Sequence, residues 1–109
     1  MQPDTTEAVW LDSDREFSLA ELSEVSGLSE AELRELVDYG ALVPTNPRAA
    51  QWTFGASFVV AVQTAGRLRD DLELEPQALA LALTLIERIR GLESQLRDLR
   101  AQLPRRFSR

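Results

Sequence analysis

Glu32 and Glu35, close together in one acidic stretch, are the nearest approach in this sequence to a pair of catalytic carboxylates. Acid–base work needs such groups at a pocket, in environments that push their pKa values apart. Beyond carboxylates, only Tyr39 and a few hydroxyls remain for that chemistry. The chain has no histidine and no cysteine, and its twelve basic residues are all arginine. Imidazole and thiolate ligands, disulfides and lysine nucleophiles are thereby excluded, and no glycine-rich loop is present to cradle a phosphate. The pair reads as part of a solvated acidic helix face. The chain is expected not to be an enzyme and to use no cofactor or metal.

The acidity is placed unevenly. Residues 1–44 carry eleven acidic side chains against Arg15 and Arg34 alone, whereas residues 45–109 carry seven against ten arginines, within a net charge of −6. Glu21, Glu24, Glu30, Glu32, Glu35 and Asp38 are therefore the candidate partner-binding face. Acidic clusters steer basic partners and reject others, but the same residues also favour the positive end of a helix and aid solubility. Composition leaves both readings open. At 109 residues the chain is sized for one domain with at most an extension. Its polar start lacks a signal pattern, and the most apolar stretch, residues 78–86, falls far short of a span. A soluble, cytoplasmic protein without membrane contact is expected.

Short helices must position these carboxylates. Ser18-Leu19-Ala20-Glu21 and Ser29-Glu30-Ala31-Glu32 are two capping boxes, each opening an amphipathic run. The first helix ends at Gly27 and the second near Tyr39-Gly40, which makes a helix-turn-helix. Residues 41–44 and 51–54 are expected to be two short strands of a wing, joined by the turn residues Thr45-Asn46-Pro47-Arg48. Residues 8–11 suggest another short strand. A third helix is expected over residues 56–72, with Gly66 as a weak point.

Pro76 suits the first position of a long fourth helix, residues 76–103. Leu79, Leu81, Leu83, Leu85 and Ile86 point in every direction, the pattern of a helix buried all round. Ala82, Leu85, Ile89, Leu92, Leu96, Leu99 and Leu103 then follow a heptad spacing. Packing on the third helix accounts for the first half of that seam. Leu92, Leu96, Leu99 and Leu103 need a partner beyond the domain, and Ile89 with these four leucines is the candidate dimer seam. Residues 104–109 form a basic tail, and neither that tail nor Trp10 suggests a role.

A DNA-reading helix needs arginine or lysine against phosphates. The second helix offers Glu30, Glu32, Glu35 and Asp38 against Arg34, and the wing adds only Arg48. DNA is disfavoured as a partner, and a basic protein surface is favoured.

The order of helix-turn-helix, wing, helix and long terminal helix resembles a MerR-type DNA-binding domain. In detail the chain resembles the chaperone modulatory proteins of the CbpM family. Phe17-Ser18-Leu19-Ala20-Glu21, Ser26-Gly27-Leu28-Ser29-Glu30-Ala31-Glu32-Leu33, Gly40-Ala41-Leu42-Val43-Pro44 and Trp52-Thr53-Phe54 carry the likeness. So does the stretch Val60-Ala61-Val62-Gln63-Thr64-Ala65-Gly66-Arg67-Leu68-Arg69-Asp70-Asp71-Leu72-Glu73-Leu74, followed by Ala80-Leu81-Ala82-Leu83-Thr84-Leu85-Ile86. The departures are an N-terminal extension and a longer loop through Pro47-Arg48-Ala49-Ala50.

The resemblance implies a mainly α, MerR-like winged helix-turn-helix with a small β wing and a long C-terminal helix. It divides the chain into an extension (1–16), the helix-turn-helix, wing and third helix (17–75), the long helix (76–103) and the tail. It also implies a function. Members bind the J-domain of a DnaJ-like co-chaperone and inhibit it, limiting its stimulation of Hsp70. J-domains carry a basic helix that docks on Hsp70, for which an acidic inhibitor would compete. A homodimer with antiparallel helices follows from the MerR likeness. The alternative is a MerR-like transcriptional regulator that binds DNA, and a third reading is a purely structural oligomer module.

Overall fold

The computed structural model describes residues 15–103. The strand suggested at residues 8–11, Trp10 and the basic tail lie outside the described residues. The elements run β1 (Glu16–Ser18), α1 (Leu19–Ser26), α2 (Glu30–Asp38), β2 (Thr53–Gly55), α3 (Ser57–Leu72) and α4 (Pro76–Gln102).

Both capping boxes form. Ser18 accepts the Glu21 amide at 3.1 Å while Glu21 accepts the Ser18 amide at 2.9 Å. Ser29 and Glu32 repeat the exchange at 3.0 and 2.9 Å. Two orphan amides are thus satisfied at each helix start. Gly27, at φ 79°, closes α1 with its amide on the Ser23 carbonyl, a left-handed conformation that glycine adopts without steric cost.

The expected wing hairpin is replaced by a different pairing. After α2 the chain turns at Gly40 (φ 81°), and the amides of Ala41 and Leu42 return to the Leu36 carbonyl. Those amides close the helix and are not free for a ladder, and Pro44 has none to give. Residues 41–44 are therefore not a strand. β2 pairs antiparallel with β1 instead, setting Phe17 opposite Phe54, both buried. One link of the expected hairpin remains, from the Thr45 amide to the Thr53 carbonyl at 2.8 Å.

The core lies between α1, α2, α3 and the start of α4. Leu22, Leu28, Leu33, Leu36, Leu42, Phe54, Val59, Val62 and Leu83 are fully buried. Truncation of any such leucine to alanine costs about 2–5 kcal/mol. Gly66 is not a weak point but a contact, because a Cβ there would run into the Ser26 carbonyl group of α1.

α4 is not buried all round. Leu79, Ala80 and Leu83 pack inward, while Leu81 (61% exposed) and Leu85 (52%) face away. From Arg88 onward every described residue is exposed, so the second half of α4 projects beyond the core. The helix stops with Leu103 extended (φ −74°, ψ 143°), the conformation required of a residue preceding proline. No helix among the described residues is long and apolar enough to cross a membrane.

Candidate functional site

The six acidic residues singled out above do not share one face. Glu21 belongs to the α1 cap, and the Arg15 guanidinium meets it at 3.0 Å. The Ser18 backbone amide, more than Arg15, holds the Glu21 carboxyl below the usual range, against partial burial that pushes it up. Glu32 belongs to the α2 cap and is paired with Arg69 of α3. Burial is the largest single influence on Glu32 and raises its pKa, but the Ser29 amide and the Arg69 guanidinium together outweigh it and lower the value.

Arg69 also donates to the Gly27 carbonyl at 3.2 Å and to Asp70 at 2.8 Å. It therefore ties the turn between α1 and α2 to α3. Glu24, Glu30, Glu35 and Asp38 are exposed, and among the described residues none of them makes an ion pair.

The exposed carboxylates look onto different surfaces because they leave α2 at different angles. Glu30 lines a broad groove of about 550 Å³ between the starts of α1 and α2 and the loop before β2, together with Ser18, Arg34, Gln51 and Trp52. Trp52 is the fixed wall of that groove. Its indole Nε1 donates to the Pro47 carbonyl at 3.1 Å, its ring meets Phe54 edge-on at 6.5 Å, and the Arg34 guanidinium lies 5.9 Å from the ring centre. The one arginine of α2 is thus turned toward the protein's own aromatic. The role of Trp52 was not legible beforehand, and its only signal was the apolar alternation with Phe54.

Glu32 and Glu35 border a second, much smaller concavity where α2 meets α4. This notch of about 20 Å³ is lined by Leu36, Leu74, Pro76 and Leu79 as well as Glu32 and Glu35. It has room for about one water-sized group, far less than a substrate pocket requires. Among the described residues no three metal-ligating side chains converge.

The third surface is the α4 seam. Leu85, Ile89 (54% exposed), Leu92, Leu96 (47%), Leu99 and Leu103 are all open, and at helical pitch they lie on the side opposite Leu79, Ala80 and Leu83. In the first half of the seam Leu85 and Ile89 are thus open as well, while Ala82 is half-buried. Leu81 extends the stripe toward the helix start.

Comparison with known proteins agrees with this architecture. The model of the MerR HTH family regulatory proteins matches residues 17–101. The chain is 37% identical over 89 residues to the chaperone modulatory protein CbpM of Escherichia coli O1:K1 / APEC, covering 82% of this chain and 88% of that protein. The CbpM of Escherichia coli O45:K1 (strain S88 / ExPEC) matches at the same identity and coverage. With two capped helices, a small antiparallel sheet and a long terminal helix in the matched region, the chain belongs to the CbpM family of chaperone modulatory proteins, within the MerR helix-turn-helix family.

Proposed function

We propose that this protein modulates a chaperone system in the cytoplasm by binding the J-domain of a DnaJ-like co-chaperone and masking it from Hsp70. The observation that carries the reading is the match to relatives named chaperone modulatory protein over 82% of the chain. The physical support is the set of exposed carboxylates on α1 and α2 that make no ion pair among the described residues: Glu24, Glu30, Glu35 and Asp38. Such groups attract a basic helix without chemistry, by charge and steric occlusion. Calorimetric titration of the J-domain into the full chain is expected to give saturable binding that weakens several-fold from low to physiological salt. Absence of binding overturns the reading, and salt-indifferent binding removes its electrostatic part.

The family match to a regulatory helix-turn-helix keeps DNA as the alternative. α2 opposes it, since Arg34 lies against Trp52 and the exposed acids would face the phosphates. In the same reading, Ile89, Leu92, Leu96, Leu99 and Leu103 pair with the α4 of a second copy. An apolar stripe this long on a projecting helix is otherwise left in water.

A further inference from the structure

We infer that the notch between α2 and α4 is the seat of a single arginine or lysine side chain from the partner's basic helix. This rests on the J-domain reading and specifies which of the acidic surfaces makes the contact. Four apolar residues, Leu36, Leu74, Pro76 and Leu79, line the notch together with two acidic ones, Glu32 and Glu35. An apolar lining that includes acidic residues matches a side chain that has a methylene stem and a cationic head. The volume of about 20 Å³ accepts part of one stem and excludes a metabolite.

The charge that receives the head is Glu35. Glu32 is already committed to the Ser29 amide and to Arg69, whereas Glu35 is exposed and, among the described residues, in no ion pair. Glu73 and Glu75, the chain neighbours of Leu74, are exposed as well and carry the negative field onward from the notch. An uncharged apolar side chain seated there would strip water from Glu35 and return nothing for it. The groove beside Trp52 is larger but offers Glu30 together with Arg34, so its charge selects no sign.

The test is calorimetric titration of the J-domain into the full chain and three variants, each first checked by thermal melting. Glu35→Lys places a cation near the end of α2, where the helix tolerates it, and is expected to weaken binding about tenfold or more. Leu74→Ser opens one apolar wall and is expected to weaken binding also, which a contact by charge alone would not show. Gln51→Lys, in the other groove, is expected to stay within about twofold. Binding unaffected by Glu35→Lys or by Leu74→Ser, or lost selectively in Gln51→Lys, overturns the notch and leaves the J-domain reading standing. Failure of the unsubstituted chain to bind overturns both.

Discussion

At the crossing of α1 and α3, a Cβ on Gly66 would meet the Ser26 carbonyl, whose carbon would lie 3.2 Å away. Ser26 is nearly buried and its hydroxyl accepts the Leu28 amide at 3.1 Å, so the turn has little room to retreat. Gly66→Ala is expected to destabilise the fold by about 2–3 kcal/mol, although alanine is the better helix former. The measurement is a denaturant midpoint at unchanged slope, and a raised midpoint would show that the two helices can separate without loss. Sequence alone assigns Gly66 only a poor helix propensity, because the crossing that demands a missing side chain is made by a residue forty positions away. The same distance hid the role of Arg69. Its pairing with Glu32 and its bond to the Gly27 carbonyl join segments that no local pattern connects.

Among the elements, α4 changes character along its length, and Glu87 sits at the change. It follows Leu83 by one turn, on the side of the helix that packs inward, and its Oε2 is buried without a hydrogen-bond partner. Burial pushes the Glu87 carboxyl above the usual range, and Arg90 only partly offsets that. A raised folded-state value favours the protonated form. Its stabilising contribution is present below the ordinary carboxylate range and is lost as pH rises through the raised value. Glu21 and Glu32 act oppositely, contributing above that range and losing the contribution as pH falls through their lowered values. Glu87→Gln is therefore expected to raise stability at neutral pH by roughly 0.5–1 kcal/mol, a figure discounted for its partial exposure. It should also flatten the decline just above the carboxylate range while leaving the acid limb in place. Melting temperatures across pH 4–8, the roughly relevant window for these groups, check both, and an unchanged profile would show that solvent reaches the carboxylate freely.

For the whole molecule, the question is what covers the outward stripe of α4. The core uses one face of the first half, and the rest of the helix projects with its leucines in water. The proposed pairing with a second copy through Ile89, Leu92, Leu96, Leu99 and Leu103 would remove that exposure. Leu92→Asp combined with Leu96→Asp is expected to shift the protein to monomer in sedimentation equilibrium over a concentration series. The core residues would be untouched, so helical content should fall only modestly. A sedimentation profile that is monomeric before substitution would assign the stripe to another partner. The proposed J-domain contact is expected to persist in the monomeric variant, since the notch is lined by residues of one chain.

The sequence by itself determined the helices. Capping boxes, glycine stops, Pro76 and the heptad spacing act within a turn or two of their own position, and the helices begin and end close to where those signals lie. It also determined the sign of the surface, because charge depends on composition and not on fold. The tertiary structure decided which residues meet. β2 chose β1 over residues 41–44 because burying Phe17 against Phe54 joins two distant apolar side chains, while the nearer amides were already used to close α2. It divided the acidic set between a cap, a groove and a notch, since side chains leaving one helix at different angles face different neighbours. Glu32 and Glu35, three positions apart, thus became one carboxylate that holds α3 and one that, among the described residues, makes no ion pair beside an apolar notch.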